Sequence, residues 1–282
     1  MPECARLRRY LLATVACLAS FAASAQFPYD VPYVPTPYVV VEEMLRLANV
    51  GADDFVMDLG SGDGRILIEA VRKFGVRGIG VDLDAERIAE SVENAQAAGV
   101  ADRVEFLRQD LFKFDIARAN VVTMYLLPAV NMKLRPRLLD ELKPGTRIVS
   151  HDFDLGDWLP DAKSTVRKNV FMWIVPAKIN GRWRATAALP GGGRSYEIEF
   201  RQKFQEIDGL ARYDKKIAGL WNPQLRGKRI RFVLVDDGGP VDSNLYFEGD
   251  VDGEVMEGVI RRGVGGDETK ATWRAVRVEA TQ

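Results

Sequence analysis

Between residues 55 and 151 short apolar runs alternate with segments of helical spacing, and after about residue 178 the helical spacing disappears. FVMDL, RGIGVD, RVEFLR, ANVVTMY and TRIVSHD read as five strands. RILIEAVRKF places Ile66, Leu67, Ala70, Val71 and Phe74 on one helical face. AERIAESVENAQAAG reads as a helix stopped by Gly99, and MKLRPRLLDELKPG as the helix before the fifth strand. Strand–helix alternation of this kind folds into a doubly wound parallel sheet with helices on both faces. KSTVRK and VFMWIVPA complete it as a hairpin. From KINGRWRATAAL onward the chain shows alternating strands separated by Gly, Asp and Asn turns, the pattern of a smaller all-β, barrel-like domain. The organisation expected is a leader over 1–25, an arm and helix over 26–54, a doubly wound Rossmann-like α/β domain over 55–177, and an all-β domain of open role over 178–282.

The leader departs from both patterns. MPECARLRRY carries Arg6, Arg8 and Arg9, LLATVACLASFA is apolar, and Ala23-Ser24-Ala25 is a small-residue cleavage site. That is the layout of a secretory signal peptide cleaved after Ala25, which implies a periplasmic mature chain. An uncleaved anchor is the alternative. Both cysteines, Cys4 and Cys17, fall in the leader, and His151 is the only histidine. The mature chain then has no disulfide and no His/Cys metal site. A net charge of -1 over 282 residues gives no reason to expect nucleic acid as a partner.

The ligand signal is VMDLGSGDGR. In open α/β sheets ligands bind beyond the carboxyl ends of the strands, near the switch point, where this turn lies. Gly60 and Gly62 begin a G-x-G-x-x-G pattern, but its third position is Arg65, and Gly64 is displaced from it. The lysine of a P-loop is absent. Asp58 and Asp63 flank the turn and would repel a pyrophosphate. They would attract an ammonium and a sulfonium, and S-adenosylmethionine carries both. Asp82 ends the second strand, 22 residues after Gly60, where a carboxylate can accept both ribose hydroxyls. Asp110 follows the third strand, in reach of an adenine amino group. Gly60, Ser61, Gly62 and Gly64 would form the turn around the cofactor. Solvated loop acids are the alternative reading of the three carboxylates.

Residues 55–115 resemble the nucleotide half of a class I methyltransferase. VPYVPTPYVVVEEML, DLGSGDGRI, MYLLPAVNMKLRPRLLDELKPGTRIVSHDF and DW look like the small mitochondrial-type protein-lysine methyltransferases that modify ATP-synthase c-subunits and the adenine-nucleotide translocase. The resemblance covers about residues 31–176 and implies a protein-lysine acceptor. It also suggests that Pro35, Thr36 and Pro37 form a lid over the cofactor, with Thr36 among its contacts. The leader and the β domain lie outside it. Two readings therefore stay open beside lysine methylation. One is a small-molecule methyltransferase with the β domain as acceptor pocket. The other is an envelope module that binds the cofactor without catalysis.

Methyl transfer is an in-line displacement that mainly demands alignment and dryness. A lysine must first lose a proton, which at pH 7 costs roughly 4.6 kcal/mol. Tyr125, ending the fourth strand, could hold the ammonium on its ring. His151, after the fifth strand, could take the proton, since it titrates near neutrality. A ring covering the sheet end and a buried structural histidine are their bland alternatives. Asp152 and Asp154 read as solvated loop acids before substrate ligands, and Trp158 and Trp173 as core.

Overall fold

The computed structural model describes residues 33–166, 168–189, 192–235, 244–263 and 269–279. The leader, with Cys4 and Cys17, lies outside them. Helix α1 (Tyr38–Leu47) buries Val40, Val41, Met44 and Leu45. The sheet then begins with β1 (Phe55–Leu59), β2 (Arg77–Asp82), β3 (Val104–Arg108), β4 (Val121–Met124) and β5 (Arg147–His151). Between them run α2 (Arg65–Phe74), α3 (Ala85–Ala97) and α4 (Pro128–Glu141). The spacing that buries Ile66, Leu67, Ala70 and Val71 makes α2 amphipathic, and Gly75 ends it in a left-handed conformation. Asp84 caps α3 by accepting from the Glu86 N–H at 2.8 Å. Pro128 opens α4, where its fixed φ suits the first turn.

Two further strands, β6 (Ala162–Ser164) and β7 (Val170–Ile174), complete a seven-stranded sheet in the order β3-β2-β1-β4-β5-β7-β6. The first five are parallel, while β7 runs antiparallel to β5, and β6 pairs antiparallel with β7. The order reverses at β1, so a crevice opens beyond the ends of β1 and β4. Leu59 lies opposite Val81 on one side and Met124 on the other, which brings the glycine turn, Asp82 and Tyr125 to the same sheet edge.

Eight antiparallel strands follow: β8 (Gly181–Ala187), β9 (Arg194–Lys203), β10 (Glu206–Tyr213), β11 (Lys216–Arg226), β12 (Arg229–Leu234), β13 (Leu245–Asp252), β14 (Val255–Arg262) and β15 (Thr269–Glu279). Each pairs with the next, and β15 returns to β8 with Ala275 opposite Ala185, closing a barrel. Alternation puts Trp183, Tyr196, Phe200, Phe232, Phe247 and Trp273 inside. Phe232 and Phe247 stack at 4.6 Å, with Trp273 edge-on to both. The aromatic interior packs on itself, which weighs against a barrel acceptor pocket. Charged residues point outward from β8, β12 and β14, opposite to a lipid-facing barrel. Among the described residues no helix is long and apolar enough to cross a membrane.

The turn between β9 and β10 locks the barrel to the segment after β5. Phe204 stacks on Trp158 at 5.7 Å and lies under the Arg135 guanidinium. Lys203 pairs with Asp157 at 3.1 Å, and Gln205 donates to the Leu159 carbonyl at 2.7 Å. Phe204→Ala removes a half-buried ring from this contact. It should lower stability by about 1–2 kcal/mol, below the cost of emptying a fully buried site. Urea denaturation checks this; an unchanged midpoint would show that the ring adds no net stabilisation.

Candidate functional site

The glycine turn is set by the neighbouring strand. The N–H groups of Gly60 and Ser61 both donate to the Val81 carbonyl, at 2.9 and 3.0 Å. Gly60 and Gly64 have φ near +80°, and a β-carbon would meet Leu126 at 2.8 Å or Phe106 at 2.6 Å. Side chains are thus excluded twice, by backbone conformation and by space. The turn delivers the chain into α2 with Gly64 at its N-cap.

The acids around the turn do different jobs. Asp63 faces Arg65, whose guanidinium holds both carboxylate oxygens at 2.5–3.0 Å. Its charge is therefore compensated inside the protein. Asp58 is 1% exposed and accepts from the Thr123 hydroxyl at 2.7 Å. Its second oxygen has no hydrogen-bond partner among the described residues, and neither has the buried Ser61 hydroxyl. Burial pushes the Asp58 carboxyl up to about 7, against the Thr123 hydrogen bond and helped by the charges of Asp82 and Asp63. Asp82 accepts from the N–H groups of Gly62 and Asp84, one on each oxygen, at 2.9 and 3.0 Å. A carboxylate has about four acceptor sites, so each oxygen keeps one for a ribose hydroxyl. Asp110, half-buried, accepts from the Phe112 N–H at 2.9 Å.

S-adenosylmethionine fits this set. The orphaned oxygen of Asp58 and the orphaned hydroxyl of Ser61 are buried polar atoms that need a partner, and a cationic one suits the carboxylate. Gly60 and Gly62 leave the backbone bare beside them, and Asp82 and Asp110 await hydroxyl and amino donors. Neutral Asp58 at low pH and a cationic ligand oppose each other. Cofactor affinity should rise as pH climbs through about 7, with release of up to one proton, and Asp58→Asn should flatten that slope. In the cofactor-free protein the sign is reversed. A carboxyl raised above its unfolded pKa of about 3.9 adds stability that is full below that value and lost through about 7. Asp58→Asn should therefore stabilise the free protein at pH 8, on the order of a few kcal/mol, and weaken cofactor binding. Calorimetric titration and denaturation at pH 5 and 8 test both; parallel pH dependences of the two proteins would remove the assignment.

A second group lies at the ends of β4 and β5. His151 is 1% exposed, and its ring lies 3.9 Å from that of Tyr125, centroid to centroid. Phe153 stacks near Tyr125 at 6.2 Å. The Thr36 hydroxyl lies 3.1 Å from His151 Nδ1. When Nδ1–H donates to that hydroxyl, Nε2 carries the lone pair; when the hydroxyl donates, Nε2 carries the proton. Nε2 itself has no hydrogen-bond partner among the described residues and sits 3.8 Å from the Asp152 carboxylate. Burial holds His151 below its ordinary pKa, Asp152 pulls it up, and Lys168 pushes it down. Burial likewise raises the Tyr125 hydroxyl, with Asp152 adding to it. Thr36 spans the two groups, since its carbonyl accepts from Arg65 Nη1 at 3.1 Å.

Of the residues singled out in the sequence, Asp58, Gly60, Ser61, Gly62, Gly64 and Asp82 stand at the glycine turn, and Thr36, Tyr125, His151 and Asp152 stand together beyond β4 and β5. Asp63 turns to Arg65, Asp110 accepts within its own turn past β3, and Asp154 accepts from the Gly156 N–H. Trp158 and Trp173 are fully buried, with Trp173 Nε1 donating to the Trp158 carbonyl. Sequence reasoning missed Arg65, Thr123, Phe153 and Lys168. Arg65 was legible only as the residue that spoils a dinucleotide pattern; a cation two places after Asp63 is the signal that would have found it.

Residues 58–162 match the ANTKMT methyltransferase domain family. A protein-lysine N-methyltransferase of Saccharolobus islandicus is 50% identical over 131 residues, 46% of this chain and 81% of that protein. The mouse adenine nucleotide translocase lysine N-methyltransferase is 36% identical over 134 residues, 47% of this chain and 58% of that protein. Among solved structures, one described as an RNA methyltransferase from Salinibacter ruber, in complex with S-adenosyl-L-homocysteine, is 52% identical. It superposes with a TM-score of 0.51 over 52% of this chain and 96% of that one.

Proposed function

Because the chain belongs to the ANTKMT family of class I S-adenosylmethionine-dependent methyltransferases, we propose that it methylates the side-chain nitrogen of a protein lysine. The observation that carries this reading is the Tyr125–His151 pair, 3.9 Å apart, at the strand ends beside the glycine turn. An aromatic face attracts an ammonium, and a half-dry slot lowers the cost of making it a neutral amine. The lysine specificity of the Saccharolobus and mouse relatives supports the same acceptor.

When bound, the cofactor supplies an electrophilic methyl group on a sulfonium. The chain's own residues do the rest. Asp58, Ser61 and the glycine turn hold the amino-acid end, and Asp82 and Asp110 hold the adenosyl end. Thr36, tied to Arg65 and His151, closes the arm over them and excludes water. Tyr125 holds the acceptor against its ring, and His151 takes the acceptor's proton at Nε2.

Incubation with methyl-labelled cofactor and a bacterial envelope protein fraction, a metabolite extract and total RNA in parallel tests the acceptor. Label is expected on lysine of protein. Label confined to small molecules would favour the metabolite reading, and label in RNA the substrate named for the Salinibacter protein. Tight cofactor binding with no label anywhere would make the chain a binding module. We further infer export and cleavage after Ala25 from the arginine-led apolar leader. N-terminal sequencing of the envelope protein should begin at Gln26; a cytoplasmic chain that keeps Met1 would overturn this.

A further inference from the structure

We propose that Asp152 is the carboxylate that receives the acceptor ammonium, and that Lys168, from the connection between β6 and β7, holds that place until an acceptor displaces it. The inference rests on the lysine reading above and names the residue that selects a cationic acceptor.

Asp152 directly follows β5 and has φ +62°, a left-handed conformation uncommon outside glycine, asparagine and aspartate. Its N–H donates to the Asn169 carbonyl at 2.7 Å, pinning it to the residue before β7. The following turn is fixed as well. The Ser150 hydroxyl donates to the Phe153 carbonyl at 2.6 Å, and Asn131 Nδ2 donates to the carbonyls of Phe153 and Asp154 at 3.3 and 3.2 Å. The Asp152 carboxylate is thus presented by a rigid corner.

Its neighbours describe what it is set up to meet. His151 Nε2 lies 3.8 Å away and Lys168 Nζ 3.7 Å away. Both separations exceed a hydrogen bond, so the carboxylate is near two nitrogens without being saturated by either. Nε2 is buried and has no hydrogen-bond partner among the described residues. The Tyr125 ring packs on His151, and its hydroxyl is raised by burial first, then by the Asp152 charge, with Lys168 opposing. A carboxylate, a bare nitrogen and an aromatic face therefore converge on one spot, and an ammonium already stands at its rim.

That ammonium is a weak tenant. The Lys168 side chain is 56% exposed, and exposed ion pairs contribute little. An acceptor lysine that also gains the Tyr125 ring and the dry neighbourhood of Nε2 would outcompete it. A neutral acceptor would have no use for Asp152.

The single histidine makes this directly observable, because His151 gives the only imidazole signals in a proton spectrum of the full chain. The probes are the capped pentapeptide Gly-Gly-Lys-Gly-Gly and its norleucine counterpart, added without cofactor. The lysine peptide should shift the His151 signals saturably, and the norleucine peptide should not. Asp152→Asn should abolish the shift. Asparagine tolerates the left-handed backbone, so the corner should survive. Lys168→Gln should tighten the lysine peptide about threefold. In labelled-cofactor assays Asp152→Asn should raise the acceptor KM at least tenfold, more than it lowers kcat, with cofactor affinity intact. Equal response to both peptides, or a wild-type acceptor KM in Asp152→Asn, would overturn the assignment and leave lysine methylation standing. Methylation of metabolite or RNA but of no lysine would instead remove the reading beneath it.

Discussion

Asp82→Ala is expected to lower S-adenosylmethionine affinity by about 5- to 150-fold. The carboxylate is positioned to accept two ribose hydroxyls, and it also accepts the N–H groups of Gly62 and Asp84. Each ribose bond contributes about 0.5–1.5 kcal/mol, so the two give roughly 1–3 kcal/mol; the bonds to Gly62 and Asp84 exist with and without cofactor and enter only through the shape of the turn. The loss has two parts that a second variant separates. Asp82→Asn keeps the shape and one acceptor oxygen, while its amide nitrogen faces one of the two backbone N–H groups, so it should lose less affinity than Asp82→Ala. Calorimetric titration of both variants is the test. Unchanged affinity in Asp82→Ala would end the ribose assignment.

His151→Gln should reduce turnover about 100-fold at pH 7 if His151 acts as the general base. Cofactor affinity should stay within about twofold of the original, because glutamine can keep a hydrogen bond to the Thr36 hydroxyl, the one cofactor-side group that His151 meets. The pH dependence distinguishes a base from a packing residue. Burial holds the imidazole below its ordinary pKa, so it is neutral and able to accept throughout the neutral range. Above pH 7 a growing share of acceptor lysine is deprotonated without help, so the deficit should shrink towards pH 9. Stability has its own sign. A histidine whose folded pKa is lowered contributes stability that is present above about 6.5 and lost as pH falls below it. A variant with the original turnover from pH 6 to 9 would remove the base role and leave Tyr125 as the group at the reacting centre. Thr36→Val offers a second handle, since it deletes the hydroxyl against Nδ1 and frees the choice of tautomer.

The two variants probe halves of the site that were not equally legible. The cofactor half sits on β1, the glycine turn and the ends of β2 and β3, all within about 50 consecutive residues. Apolar strand, glycines and strand-end acids are features of local sequence, and the sheet order follows from right-handed crossovers between neighbours. The acceptor half joins Thr36, Tyr125, His151 and Lys168, which are far apart in the chain. No periodicity expresses the 3.1 Å contact between Thr36 and His151, residues separated by 115 positions.

By itself, then, the sequence determined the alternation that becomes the doubly wound sheet, the switch from helical to strand spacing near residue 178, and the carboxylates around the glycine turn. Those properties are carried by residue type at short range, where hydrophobic period and backbone preference act. Tertiary structure alone decided which carboxylates stay uncompensated. Asp58 and Asp63 look alike in DLGSGDGR, yet Asp63 meets Arg65 while burial raises Asp58 to about 7. It also decided that β15 closes on β8, and that Phe204 of the barrel stacks on Trp158 beyond the strand bearing His151. The physical reason is the same in each case: burial and charge pairing depend on what the rest of the chain brings into contact.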